Sequence, residues 1–322
     1  MRVVPPLRRA MLLDLILLAA GLVALVLAGD KLVAGAVALA GRLRISPLVI
    51  GLTIVAFGTS APELFISLQA AYGGQPGLSI GNVVGSNVAN VLLVLGAPAL
   101  ISAIRCHEHG IGTSNVAMLA LTIAFMAILA TGTIGRIEAL ALFAGLLAFL
   151  GYQALAAKRD QGLAQGFVEQ AAGDELAGRA IGIALAIGLV GLPLGAQLTI
   201  NGATGIAARF GISDAVIGLT VVAIGTSLPE LITSLMAAVR RSNEVAIGNV
   251  VGSNVFNIGA IMGITGLLVP LNVPAQVVSL DMWVMLGSTL LLIALATFRV
   301  TLGRMAGGAM LAAYGAYLVI LY

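Results

Sequence analysis

Apolar residues run along the chain in long windows separated by short charged or turn-rich breaks. Each window is close to the ~20 residues that a helix needs to cross a hydrocarbon layer. The first five windows run approximately over 12–41, 46–72, 78–103, 113–132 and 135–157, the second five over 180–208, 213–239, 244–269, 278–298 and 303–321. Between the two sets lies the one long polar connection, KRDQGLAQGFVEQAAGDELAGR, Lys158 to Arg179, whose composition is that of a linker. The pattern predicts an all-α membrane protein of about ten transmembrane helices. It divides the chain into a five-helix unit over 11–157, a cytoplasmic linker over 158–179 and a second five-helix unit over 180–322.

The windows repeat. GLTIVAFGTSAPELFISLQAA from Gly51 recurs as GLTVVAIGTSLPELITSLMAA from Gly218, and IGNVVGSNVAN from Ile80 recurs as IGNVVGSNVFN from Ile247, both at a separation of 167 residues. One register held across the intervening loop is the mark of a duplicated helix pair. The register extends backwards to place RISPLVIGLT against GISDAVIGLT, with Ser46 and Ser213 as N-caps of the spans that follow. About five spans, an odd number, separate equivalent positions, so the second copy enters the membrane from the opposite side. That is an inverted repeat, in which ion sites form at the midplane where the copies meet.

Composition narrows the function class. With 60% hydrophobic and 9% charged residues among 322, and a mean hydropathy of +1.11, the chain has no material for a sizeable soluble domain. Its activity belongs inside the lipid bilayer, nucleic-acid binding has no support, and no obligatory protein partner is evident. The formal charge of +3 matters through its distribution. With the N-terminus outside, the inward connections carry Arg42, Arg44, Arg105, Lys158, Arg159, Arg179, Arg240, Arg241, Arg299 and Arg304. The outward ones carry Arg136 and Arg209, besides Arg2, Arg8 and Arg9 at the N-terminus. Cytoplasmic loops collect basic residues, so both termini are expected outside a cell membrane, the inner membrane in a Gram-negative cell. The dissenting arginines all precede Met11, which is therefore the expected native start, with residues 1–10 a non-native extension. The single cysteine, Cys106, excludes an intramolecular disulfide, and the neighbouring His107, Glu108 and His109 read as a solvated loop without further metal ligands.

The repeated motifs carry the candidate chemistry. Pro62 and Pro229 have no N–H to donate to the carbonyl four residues back, at Gly58 or Gly225, and the glycines let the backbone unwind further. A proline in a membrane helix is by itself no more than a kink. A glutamate there is different, since burying it costs on the order of 3 kcal/mol even on lenient insertion scales, and functional use is the default reading. Thr59 and Ser60 lie four and three residues before Glu63, and Thr226 and Ser227 stand likewise to Glu230, so hydroxyls and carboxylate share a helix face. Such an oxygen-only set suits hard cations such as calcium and sodium. Asn82, Ser86 and Asn90 form a second polar stripe, repeated as Asn249, Ser253 and Asn257; beside them Gly81 and Gly85, or Gly248 and Gly252, form a small-residue packing stripe. Asn82 and Asn249 are also read as bonds between helices. Asp30 and Lys31 pair with each other or snorkel, and stay outside the site because the counterpart of Asp30 is Gln197. Asp281 reads as an interfacial residue.

These motifs resemble the two alpha-repeats of the calcium/cation antiporter superfamily, above all its sodium/calcium exchanger branch and the compact bacterial members. The resemblance covers the chain from about Met11 onward. It implies ten helices in an inverted repeat, alternating-access exchange, and transported calcium and sodium with no cofactor. Its ion ligands fall on the Ala56 carbonyl, Thr59, Ser60, Glu63, Ser86 and Asn90 in the first repeat. In the second they fall on the Ala223 carbonyl, Thr226, Ser227, Glu230, Ser253 and Asn257. The two glutamates would neutralise one calcium. One departure stands out: exchangers of this branch commonly carry an aspartate where this chain has Asn257, which leaves one fewer titratable carboxylate. The leading expectation is calcium extrusion driven by sodium influx. Proton-coupled exchange on the same glutamates is the alternative, and a cation channel a more remote one. An intramembrane enzyme finds no H-E-x-x-H or G-x-S-x-G motif to rest on.

Overall fold

The computed structural model describes residues 7–159, 178–211 and 223–321. Almost the whole of it is helix. α1 covers Leu7–Leu43; α2 (Pro47–Thr59) and α3 (Ala61–Tyr72) form one span bent by 42°. α4 (Pro76–Ala99), α5 (Ile111–Ala130) and α6 (Arg136–Arg159) complete the first half. The second half contains α7 (Gly178–Arg209), α8 (Ala223–Thr226), α9 (Leu228–Val239), α10 (Asn243–Leu268), α11 (Val277–Thr297) and α12 (Arg304–Leu321). Eight of the described helices are each long and apolar enough to span a bilayer, and the α2/α3 pair makes a ninth. The expected span 213–239 is described only from Ala223; its beginning, Ser213 as its cap, most of the linker and the start of the N-terminal extension lie outside the described residues. Ser46 caps α2 as expected, its Oγ accepting from Leu48 N at 3.1 Å. The third expected span ends early: α4 stops at Ala99, and the chain turns into a short strand.

Four two-residue strands establish how the halves are related. β1 (Ile104–Arg105) pairs antiparallel with β4 (Thr301–Leu302), and β2 (Thr133–Ile134) with β3 (Leu271–Asn272). The 20-residue α5 separates β1 from β2 by ~30 Å, the thickness of the hydrocarbon layer, so these two strands stand on opposite faces. β3 lies 167 residues after β1, at the equivalent place in the second copy, yet it pairs with β2. Equivalent strands therefore occupy opposite faces, and the repeat is inverted without any need to count spans.

Packing divides the helices into two groups. α1 and α7 lie along each other at close range: a Cβ on Gly202 would meet the Leu18 backbone nitrogen at 2.5 Å. Their outer faces expose Leu12, Leu13, Ile16, Val23, Ile183 and Val190, as suits a surface solvated by lipid tails. α4 and α10 are the most enclosed helices, and they carry the polar motifs. α2 crosses α10 where Gly248 and Gly252 leave no room for a side chain, as the packing-stripe reading expects. The counterparts of Leu48 and Leu52 at positions 215 and 219, which by the same register would face Gly81 and Gly85, lie outside the described residues.

Candidate functional site

The bend between α2 and α3 is local chemistry. α2 ends at Thr59, and Ser60 adopts φ −81°, ψ 3°, outside helical geometry. Pro62 then falls in the first turn of α3, where its missing N–H removes no helical bond. The twin is the same: Ser227 has φ −85°, ψ 3°, and Pro229 opens α9. The break puts Glu63 and Glu230 in the first turns of new helices, where the helix dipole favours negative charge. The Ala56 carbonyl is not freed by this break; it accepts from Ser60 N at 3.0 Å and lies 3.3 Å from the Thr59 hydroxyl. Ala223 is the first described residue of α8.

Both glutamates are only 1% exposed, and Thr59, Ser60, Ser86, Asn90, Thr226, Ser227, Ser253 and Asn257 are all buried with them. The copies meet here. The Ser60 hydroxyl donates to Glu230 Oε1 at 3.3 Å, and the Thr59 hydroxyl lies 3.1 Å from Asn249 Oδ1 and 3.4 Å from Ser253 Oγ. Each repeat braces its own glutamate in the same way. Asn82 Nδ2 donates to the Glu63 carbonyl (3.2 Å) and Ser67 Oγ (2.9 Å); Asn249 Nδ2 donates to the Glu230 carbonyl (3.3 Å) and Ser234 Oγ (3.2 Å). Asn82 and Asn249 thus do tie helices together. Immediately after Asn90 and Asn257 both motif helices widen: Val94 N bonds to Ala89 O, and Asn257–Met262 is a π-helical segment. Such widened turns in α-helices cluster at functional sites.

The buried polar atoms do not all find partners. Among the buried side-chain atoms with no hydrogen-bond partner within the described residues, which include scattered hydroxyls such as Ser79 and Thr233, are Glu63 Oε2, Glu230 Oε2, Asn90 Oδ1 and Asn257 Oδ1. These four form two pairs related by the repeat, and every one is oxygen. Among the described residues the ion pairs are Arg105–Glu108, Arg209–Asp14 and Arg240–Asp30, and neither buried glutamate belongs to one. Unpartnered buried oxygens of this kind demand a cation, a proton or water.

Other expectations fare differently. Asp30 pairs with Arg240 at 2.7 Å rather than with Lys31, because the end of α9 packs beside α1. Asp281, near the start of α11, is only 6% exposed and accepts from the Tyr317 hydroxyl at 3.2 Å on the neighbouring α12. His109 is exposed, whereas His107 and Glu108 are half-buried, so the loop is only partly solvated. Outside the spans, burial pushes the Glu108 carboxyl up to about 7, with Glu244 adding to the rise and Arg105 opposing it. Burial likewise pushes the Cys106 thiol up to about 12. Asn87, Asn254, Ser67 and Ser234 were not singled out in the sequence, although all four recur at the 167-residue register.

The model of the sodium/calcium exchanger protein family matches residues 13–155 and 181–322, one segment in each half. The chain belongs to the sodium/calcium exchanger family. The sodium/calcium exchanger MaX1 of Methanosarcina acetivorans is 31% identical over 96% of this chain and 98% of its own. The inner membrane protein YrbG of Escherichia coli (strain K12) is 36% identical over 86% of each chain. Among solved structures, the sodium-calcium exchanger NCX_Mj, soaked with zero Na+ and Ca2+, superposes with a TM-score of 0.83 at 33% identity, over 97% of this chain and 100% of its own. Both sequence relatives are matched over most of their length, and the chain is a multi-pass membrane protein with the all-helical fold of that exchanger. As a member of that family it is a cation antiporter.

Proposed function

We propose that this exchanger moves calcium out against sodium influx by alternating access. The observation that carries the reading is that, of the unpartnered buried oxygens among the described residues, four recur at the 167-residue register, two carboxylate and two amide, in symmetric pairs from the two repeats. Glu63 and Glu230 supply two negative charges, which one calcium or two sodium ions neutralise. Thr59, Ser60, Ser86 and Asn90, with Thr226, Ser227, Ser253 and Asn257, complete an oxygen-only ligand set, and the Ala56 and Ala223 carbonyls border it. Bare carboxylates in this enclosure are costly, so the site changes sides only when filled, and exchange becomes obligatory.

The inner face is assigned to the side of β1 and β4, where Arg105, Arg299 and Arg304 gather, so that both termini face outward. The units 11–157 and 180–322 then act as the two inverted halves, joined by a cytoplasmic linker.

In sealed vesicles, an outward sodium gradient should drive calcium uptake, and Glu63→Gln should abolish it while the protein still folds. Calcium movement retained by Glu63→Gln would refute the site. Proton coupling is the second reading, favoured by Asn257, which leaves two glutamates as the buried carboxylates of the site; calcium uptake driven by a pH gradient alone selects it.

A further inference from the structure

Asn90 and Asn257 present oxygen to the site only if their amides are turned the right way. An amide has nearly the same shape with its oxygen and nitrogen exchanged, and the nitrogen only donates. Turned over, either residue would offer N–H groups to a cation and repel it. The structure contains groups that forbid this reversal, and they lie outside the ligand set.

Asn87 Nδ2 donates to Met285 Sδ at 3.8 Å and to the Asn254 carbonyl at 3.5 Å. Both partners can only accept, so the nitrogen of Asn87 must face them and its Oδ1 must face the other way. That oxygen accepts from Asn257 Nδ2 at 3.0 Å. The Asn257 nitrogen is thereby held outward, and its Oδ1 is the atom left without a partner. The second repeat supplies the same device to the first. Asn254 Nδ2 donates to Met118 Sδ at 3.7 Å, and Asn254 Oδ1 accepts from Asn90 Nδ2 at 3.1 Å, leaving Asn90 Oδ1 unpartnered. Met118 and Met285 are 0% exposed, on α5 and α11, and stand 167 residues apart like the asparagines they meet.

We propose that Met285–Asn87 and Met118–Asn254 are two symmetry-related positioning relays that lock the Asn257 and Asn90 amides with oxygen toward the ions. This rests on the exchange reading of the site. Each relay crosses from one repeat to the other, so each half orients the ligand of its partner. The relay also specifies an amide at residue 257: an ionised aspartate there would set a carboxylate oxygen against Asn87 Oδ1, where the lone pairs repel.

Asn87→Leu removes the acceptor for Asn257 and frees its amide to turn. It should raise the KM for calcium about tenfold in sodium-loaded vesicles, equivalent to ~1.4 kcal/mol, with the maximum rate unchanged. Met285→Leu keeps the volume and the fold, removes only the sulfur acceptor, and should raise KM about threefold. In an Asn257→Ala background no amide remains to orient, so Asn87→Leu should have no further effect on KM. Wild-type KM in both relay variants, or an equal loss from Asn87→Leu in the two backgrounds, overturns the relay. Wild-type protein that moves no calcium under a sodium gradient refutes the exchange reading and the relay with it. Wild-type exchange with unaffected variants refutes the relay alone.

Discussion

The crossing of α2 and α10 is the place where a single methyl group should do most damage. A Cβ on Gly252 would lie 2.6 Å from both the Leu52 carbonyl oxygen and the Ala56 Cβ, about 0.8 Å inside ordinary contact. Neither neighbour is the free end of a flexible side chain, so the helices must separate by most of that distance. The bonds from Thr59 to Asn249 Oδ1 (3.1 Å) and toward Ser253 Oγ (3.4 Å) span the same crossing. A shift of about 0.8 Å carries both beyond hydrogen-bonding range. Gly252→Ala is therefore expected to cost about 1–3 kcal/mol through overpacking, a fall of roughly 2–10 °C in Tm. It should also weaken calcium transport, because the two halves of the site are pushed apart. Thermal unfolding in detergent, beside vesicle uptake, measures both effects. Gly287→Ala is the control: Gly287 is exposed on α11, no described atom lies within 4 Å of its added Cβ, and alanine is the better helix former. If Gly252→Ala unfolds and transports like Gly287→Ala, the close approach of α2 and α10 does not constrain the site.

Three further outcomes are expected. Asn249→Ala removes a buried amide that serves the Glu230 carbonyl, Ser234 and Thr59, and should cost roughly 1–3 kcal/mol in thermal unfolding together with most calcium transport. Glu108 carries a raised folded-state pKa of about 7, first through burial and then through Glu244, against the pull of Arg105. Between about pH 4.5 and 7 the folded chain keeps a proton that the unfolded chain has lost, so its contribution to stability falls as pH rises through that window. Glu108→Gln should flatten this part of the Tm-against-pH curve, and an unchanged curve would contradict it. Cys106 is 0% exposed, and its thiol is pushed up to about 12 by burial, with Glu108 adding to the rise. Maleimide should label this single cysteine only as the protein unfolds, and rapid labelling of the native protein would refute the assignment.

How far the site was legible differs residue by residue. Glu63 and Glu230 announced themselves, because a carboxylate in an apolar window is expensive and a repeated one is no accident. Their hydroxyl neighbours followed from helical spacing. Asn87 and Asn254 did not stand out, since they sit three residues before Asn90 and Asn257 and off the every-fourth-residue stripe; only the duplication register marked them. Met118 and Met285 were invisible, because a methionine in a membrane helix is ordinary until an amide is found pointing at its sulfur. Asp30 went astray for a related reason. Its nearest cation along the chain, Lys31, is not its partner, and Arg240 reaches it from a helix far away in sequence.

The sequence alone determined what depends on local cost and periodicity: a membrane chain, a duplicated motif, a break beside Pro62 and Pro229, and an oxygen-only set of candidate ligands. Those follow from hydropathy and helix geometry, which act within one segment. The tertiary structure decided what depends on which helices meet. The pairing of β2 with β3 made the inversion a matter of geometry, and the crossing at Gly248 and Gly252 brought Thr59 to Asn249 and Ser253. The relays through Asn87 and Asn254 left Asn90 and Asn257 with their oxygens unpartnered. Orientation of an amide is set by all of its neighbours at once, and those neighbours come from opposite ends of the chain.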